Sequence, residues 1–328
     1  MSFRAQRDVR QGMGGLVGTS AKMQKIYEMI LKVAPQRHPV LVLGESGTGK
    51  ELVARAIHAY GPQRDQPFVP VDCGALSPTL IESELFGHVR GAFTGASQNR
   101  TGLLALAGQG TVFLDEVAEM PVELQAKLLR ALQEREIRPL GSNVRHPLEA
   151  RIIAGTNQQL DAAMARGDFR RDLYFRLNVV KLRLPPLRER KGDIPTLALH
   201  FFERFRRADG AARGISSEAV SRLAGYDWPG NVRELENSIQ HAVTLASGPE
   251  IQVCDLPSSL LYGTNGQGGQ LSVVSLPEVE RRAILDALES AGGDRRRAAK
   301  LLGIGKTTIY RKLKQYGIAE STKPRSPA

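Results

Sequence analysis

Seven consecutive residues near the start of the chain have the types and spacing to hold a chain of phosphates. Gly44, Glu45, Ser46, Gly47, Thr48, Gly49 and Lys50 follow the apolar run Val40–Leu43 and precede a helical stretch that opens at Glu51. Glycines at these positions let backbone N–H groups turn inward around phosphate oxygens. The helix N-terminus behind them adds partial positive charge. Lys50 reaches the β- and γ-phosphates of a nucleoside triphosphate. This is the Walker A spacing, in the strand–loop–helix context that it requires. The general pattern places Ser or Thr after the lysine to ligate Mg²⁺. Here Glu51 stands there, so the magnesium shell is not fully assigned from these residues.

A second constellation supplies the rest of a hydrolytic site. Thr111-Val112-Phe113-Leu114-Asp115-Glu116 is an apolar strand ending in two carboxylates, a Walker B pattern. Mg²⁺ takes oxygen ligands, and Asp115 at a strand tip can hold it through water. Glu116 can polarise the attacking water. Asn157 ends the next apolar run, RIIAGTN. It could orient water or sense the γ-phosphate, or simply form a turn. The chemistry that these residues suit is ATP hydrolysis, with ATP and Mg²⁺ as the bound groups.

The elements that must position these residues alternate along the chain. Short apolar runs at Val40–Leu43, Phe68–Val71, Thr111–Leu114, Arg151–Ala154 and Val179–Leu184 read as strands buried on both faces. Helical stretches such as Glu51–Ala59 and Val122–Glu134 lie between them. The expected fold is α/β, a P-loop domain with a parallel sheet flanked by helices, over residues 15–186, after a flexible N-terminus at 1–14. Pro185-Pro186 closes it. Ile194–Arg207, Ser217–Gly225 and Asn231–Ser247 then have helical spacing and no strand signal, which predicts an all-helical subdomain over 187–260. A linker over 261–275 follows, centred on Gly263–Gly269. Pro277 opens a helix to about Ser290, closed by Gly292-Gly293. Two shorter helices broken at Gly303–Gly305 complete a small domain over 276–318, and a disordered tail fills 319–328.

Composition sets the outer bounds. The chain has 328 residues, 41% hydrophobic and 24% charged, which excludes a low-complexity or wholly disordered protein. It has no apolar run long enough for a transmembrane helix, and the start has no apolar signal-peptide core, so the expected compartment is the cytoplasm. Cys73 and Cys254 make neither a disulfide scaffold nor a zinc site. The net charge is +11, with 45 basic and 34 acidic residues. From Leu276 onward 12 basic residues face 6 acidic ones, so this short end carries +6. A basic end suits a polyanion, most simply DNA, or else is a solvated tail.

Together the motifs resemble one family, the sigma-54-dependent transcriptional activators of the AAA+ ATPases. The octet GESGTGKE is that family's form of the phosphate loop, including Glu51. Glu84-Leu85-Phe86-Gly87-His88 leads to Gly91-Ala92-Phe93-Thr94-Gly95-Ala96, which resembles the family's GAFTGA loop that contacts the sigma factor. FRRDLYFRLNVV (169–180), LPPLRER (184–190) and WPGNVREL (228–235) extend the likeness from about Leu16 to Leu260. The resemblance implies that Arg170 and Arg176 are arginine fingers reaching a neighbouring subunit's γ-phosphate. It implies that Arg233 is the sensor II arginine of a helical lid, and that Leu16, Val17 and Gly18 lie beside the adenine. The family often has Asn before the Cys of the second strand. Here it is Asp72, whose charge would repel Glu116 unless one of the two is protonated or a cation intervenes.

The C-terminal end resembles a Fis-type helix-turn-helix, with Arg296–Leu302 as first helix and Lys306–Tyr316 as recognition helix. Ile309, Leu313 and Tyr316 share one face and pack inward. Lys306, Thr307, Thr308, Arg311 and Lys312 are the candidate DNA contacts.

The resemblance implies an activator that binds enhancer DNA upstream of a promoter, assembles as a homo-oligomeric ring (a hexamer) and remodels the sigma-54 RNA polymerase holoenzyme. Two other readings are a DNA-binding regulator with a vestigial ATPase and an AAA+ remodeller of another target, such as a helicase loader. The intact Lys50, Asp115, Glu116 and GAFTGA argue against both. About 14 residues precede the ATPase region. The expectation is control by a regulatory protein acting in trans, or a fragment of a longer chain.

Overall fold

The computed structural model describes residues 13–75, 78–206, 212–261, 280–281, 284–285, 287–288, 291 and 294–316. Residues 1–12, the glycine-rich linker at 263–269, Pro277, Gly292-Gly293 and the tail from 317 lie outside them. The chain divides into two compact units, Met1–Asn265 and Gly266–Ala328.

The first unit is built on five parallel strands: β1 (Val40–Leu43), β2 (Phe68–Asp72), β3 (Thr111–Asp115), β4 (Arg151–Thr156) and β5 (Val180–Arg183), in the order β2-β3-β4-β1-β5. The strands carry apolar side chains on both faces because both are covered. Val112, Leu114, Ile152 and Ala154 pack into one core. Val40, Val42, Phe113 and Ile153 pack into the other. Three sequence-expected strands run one or two residues further, to Asp72, Asp115 and Thr156, because Asp72 pairs with Asp115 and Leu43 with Thr156 in the ladder. The register brings the C-terminal ends of β1, β3 and β4 to one edge, where ligands bind in open parallel sheets.

Helices cover the sheet. α1 (Ala21–Val33) is capped by Ser20, which accepts from the Met23 N–H, and buries Met23, Ile26, Tyr27, Ile30 and Val33 at helical spacing. α2 (Lys50–Ala59) grows out of the phosphate loop. α3 (Pro78–Phe86) runs into a two-residue ladder in which Gly87–His88 pairs antiparallel with Arg100–Thr101. The Gly91–Ala96 segment is the tip of this hairpin. α4 (Val122–Glu134) and α5 (Arg171–Leu177) pack on the far side.

The second part of this unit is built from α6 (Ile194–Phe205), α7 (Ser217–Gly225) and α8 (Asn231–Leu245) around Phe202, Trp228, Leu235 and Ile239. It is not all-helical as the sequence suggested. Gly214–Ile215 and Glu250–Ile251 form a parallel pair. Two residues per strand are too short to leave a periodic signal.

In the second unit, α9 (Arg295–Leu301) is capped by the Asp294 carboxylate, and α10 (Lys306–Gln315) follows after Gly303, which sits at φ +67°. Ile309 and Leu313 are buried with Ala298 and Ala299, and Tyr316 packs against them, on the inward face that the spacing indicated.

Candidate functional site

A cleft of about 910 Å³ lies over the strand ends. Its lining includes Ser46 to Glu51, Asp115, Glu116, Asn157, Val17 and Arg233, so residues from three strand ends, the phosphate loop and the helical part converge there.

The loop is held in a shape that extended side chains would break. Gly47 sits at φ +74°, and a Cβ there would fall 2.3 Å from the Gly230 carbonyl oxygen. The Gly47 carbonyl accepts from the Val232 and Arg233 N–H groups at 3.0 and 3.3 Å. The first turn of α8 therefore rests directly on the phosphate loop. Thr48 donates its hydroxyl back to the Glu45 carbonyl at 2.7 Å, closing the turn.

Lys50 is 6% exposed; its Nζ lies 2.8 Å from Glu116 Oε1 and 3.2 Å from the Gly44 carbonyl. The other Glu116 oxygen accepts from the Asn157 N–H at 2.9 Å. Glu116 has φ +50°, a left-handed backbone that costs a non-glycine residue about 1 kcal/mol or more and is typical of functional sites. Burial pushes the Asp115 carboxyl above its usual range, Lys50 pulls it back, and Glu116 and Asp72 push it up again. A carboxylate in that position gains from a cation. Among the described residues no three His, Cys, Asp or Glu side chains form a metal cage. The single Asp115 carboxylate at the strand end beside the loop fits a metal such as Mg²⁺, which dehydrates reluctantly and binds through one carboxylate plus substrate phosphates. Glu51 is committed elsewhere, paired with Arg55 at 2.7 Å.

The charge conflict raised by Asp72 is relieved locally. Asp72 accepts from the Gly74 N–H at 2.9 Å, and the cation beside Glu116 is Lys50.

Several expected site residues sit outside the cleft. Gly44 and Glu45 support it from behind; Glu45 pairs with Arg188 at 2.5 Å, which holds its carboxyl below the usual range. Gly18 is buried behind Val17. Arg170 pairs with Asp172 at 2.7 Å, and Arg176 donates to the Leu132 carbonyl at 2.7 Å; neither lines the cleft.

Other residues matter that the sequence did not single out. Asn231, fully buried at φ +54°, accepts from the Leu187 N–H and donates to the Ser46 carbonyl and the Glu45 carboxylate. Its only sequence signal is an Asn after Pro-Gly, which reads as a turn. Buried Gln125 accepts from the Arg170 N–H and donates to the Met120 and Asp168 carbonyls, fixing the segment that carries Arg170. Asn231→Ala removes three bonds and places a Cβ-bearing non-Asn residue in a left-handed backbone. It should lower unfolding stability by about 2–3 kcal/mol. Urea denaturation reads this directly, and an unchanged midpoint would remove Asn231 as the tie between loop and lid.

The GAFTGA segment is away from these groups. Gly91 and Gly95 sit at φ +82° and +107° in open space, so backbone conformation, rather than crowding, calls for glycine. Thr94 is exposed, Ala92 is half-buried and Ala96 is buried. Phe93 is neither core nor fully exposed. It is half-buried, its ring edge-on to His88 at 5.0 Å, and His88 is in turn bonded to Ser83 at 2.7 Å.

In the second unit Thr307 and Arg311 are exposed and Thr308 is half-exposed. Lys312 is engaged inside the unit. Its Nζ lies 2.7 Å from Glu280, which also accepts from the Tyr316 hydroxyl at 2.7 Å. Lys306 opens the helix.

Comparison with known proteins agrees with this architecture. A family model described as the sigma-54 interaction domain matches residues 16–183. An AAA+ ATPase lid domain matches 188–272, and a bacterial regulatory protein, Fis family, matches 275–316. The transcriptional regulatory protein ZraR of Escherichia coli is 47% identical over 300 residues, spanning 91% of this chain and 68% of its own. The response regulator protein PilR of Pseudomonas aeruginosa is 44% identical over 311 residues, 92% of this chain and 70% of its own. The crystal structure of NtrX from Brucella abortus in complex with ADP matches with a TM-score of 0.70 at 33% identity, covering 96% of this chain and 72% of that one. By its sigma-54 interaction domain, its lid, its Fis-type helix-turn-helix and these relatives, the chain belongs to the sigma-54-dependent transcriptional regulators of the AAA+ ATPases.

Proposed function

We propose that this regulator hydrolyses ATP in the cleft above the strand ends and uses the energy to drive its GAFTGA loop against sigma-54 RNA polymerase, while the C-terminal unit holds enhancer DNA. The observation that carries the reading is the meeting of Lys50, Asp115, Glu116 and the Asn157 N–H at one strand edge. The phosphate chain lies along the loop from Ser46 to Lys50. A γ-phosphate competes with Glu116 for the Lys50 ammonium, leaving a Glu116 oxygen to accept a proton from water. Asn157 holds the other oxygen, which fixes the carboxylate's direction. Asp115 would hold the Mg²⁺ carried with the triphosphate, and the ion would supply positive charge beside the transferring phosphoryl group. Val17 and Arg233 meet the remainder of the nucleotide.

Arg170 and Arg176 complete the reaction only across a subunit boundary, since neither lines its own cleft. Head-to-tail contacts of that kind close into a ring, a hexamer by likeness to the family. The cytoplasm, where RNA polymerase works, is the compartment that this reading needs. A regulatory protein acting in trans would set when the ring forms. Among the described residues no helix is long and apolar enough to cross a membrane.

The loop and the recognition helix separate in experiment. Phe93→Ala should retain ATP hydrolysis and DNA binding but lose sigma-54 engagement, because an aromatic truncated at a contact costs about 2 kcal/mol or more of binding. Phosphate release, a gel shift and sigma-54 capture with a transition-state analogue of ATP read the three properties in parallel. Loss of hydrolysis as well would make the loop structural. Arg311→Ala should weaken specific DNA binding by about 1–3 kcal/mol if it reads a base. A loss equal on every DNA sequence would make it a phosphate contact. Lys312→Ala should act mainly through the fold of the unit, by releasing Glu280.

A further inference from the structure

Asp193 is fully buried and opens α6, at the position where an aspartate usually caps its own helix. It makes no such cap bond. Its side chain turns instead to the segment before α1. Oδ1 accepts from the Thr19 and Ser20 N–H groups at 2.7 and 2.8 Å, and Oδ2 accepts from the Ser20 hydroxyl at 2.7 Å. Gly18 leaves room for this approach, since a Cβ there would stand 2.9 Å from Oδ2. A buried carboxylate is tolerated only when its lone pairs are filled, and here the strap at residues 16–20 fills them.

The strap is tied from the other side by Tyr27, whose hydroxyl donates to the Gly18 carbonyl at 3.1 Å. Burial pushes that hydroxyl's pKa up to about 12, so it stays a donor. The strap puts Leu16 and Val17 on one wall of the cleft, and α6 puts Leu197 and Phe201 on another. These apolar groups suit a flat base, whereas Lys50, Asp115 and Glu116 suit the phosphates. Asp193 is the group that joins the strap to the helix carrying the opposite wall.

We propose that Asp193 is the positioning residue for base recognition: it holds the Leu16–Val17 strap against α6 so that the cleft discriminates a nucleotide from a bare phosphate chain. This rests on the nucleotide reading above. It requires that the base end of the site depend on Asp193 while the phosphate end does not.

The test compares ATP with inorganic tripolyphosphate as ligands of the full chain by calorimetry. Asp193→Ala removes all three bonds that it makes to the strap and should raise the Kd for ATP roughly tenfold or more. Tripolyphosphate affinity should not change, and turnover at saturating ATP should stay near wild type. Asp193→Asn, which keeps one oxygen for the two N–H groups, should recover part of the ATP affinity. If Asp193→Ala does not fold, Ser20→Ala removes the hydroxyl bond to the same carboxylate and carries the same comparison, with a smaller loss. Equal weakening of both ligands, or unchanged ATP affinity, would overturn the assignment. Failure of the wild-type chain to bind ATP would instead overturn the nucleotide reading.

Discussion

Lys50→Ala should leave the chain folded and unable to bind ATP at useful concentrations. Two losses add. The ammonium that meets the phosphates is gone, and a hydrogen bond to a charged group is worth about 1.5–3 kcal/mol. Glu116 also loses the cation 2.8 Å from it, so an uncompensated carboxylate faces the incoming triphosphate. Together these amount to a fall in affinity on the order of a hundredfold or more. Binding of a fluorescent ATP analogue is the direct readout. Wild-type affinity in the Lys50→Ala chain would mean that the phosphates do not lie along Ser46 to Lys50.

Glu116→Gln should have the opposite profile. The amide oxygen can still accept from the Asn157 N–H, so the side chain keeps its direction. The amide cannot take a proton from water, and it no longer neutralises Lys50. Turnover should fall by about 10²–10⁴-fold, the usual worth of general-base assistance. ATP affinity should hold or rise, because the ammonium is released to the phosphates. Phosphate release measured beside nucleotide binding separates the two effects. Turnover at the wild-type rate would remove the carboxylate from the mechanism.

How far the sequence reaches can be seen from particular residues. The five strands were legible because burial on both faces writes each one as an unbroken apolar run, and Val40–Leu43 agrees to the residue. Their order was not legible, since β1 pairs with β4 and β5 through contacts more than 100 residues apart. Lys50, Asp115 and Glu116 could be singled out because phosphate and magnesium chemistry calls for fixed types at fixed spacing, and the three line one cleft. Asn231, Gln125 and Asp193 could not. A buried polar side chain is set by its tertiary partners, and in sequence each looks like a turn residue or an exposed helix position. Phe93 falls between. The glycines that flank its segment, Gly91 and Gly95, stand in open space, yet nothing local signals the His88 ring on which it rests. Lys312 is a DNA candidate by its charge and helix face, and its pairing with Glu280, 32 residues earlier, could not be read from the sequence.

ATP hydrolysis in this cleft is proposed to open promoters for sigma-54 polymerase. The most direct test is melting of promoter DNA by purified sigma-54 holoenzyme in the presence of this chain, followed by the reactivity of unpaired thymines. Melting is expected with ATP, with none in a non-hydrolysable analogue and none with ATP and the Glu116→Gln chain. Melting that proceeds equally with the non-hydrolysable analogue, or with Glu116→Gln, would contradict that proposal.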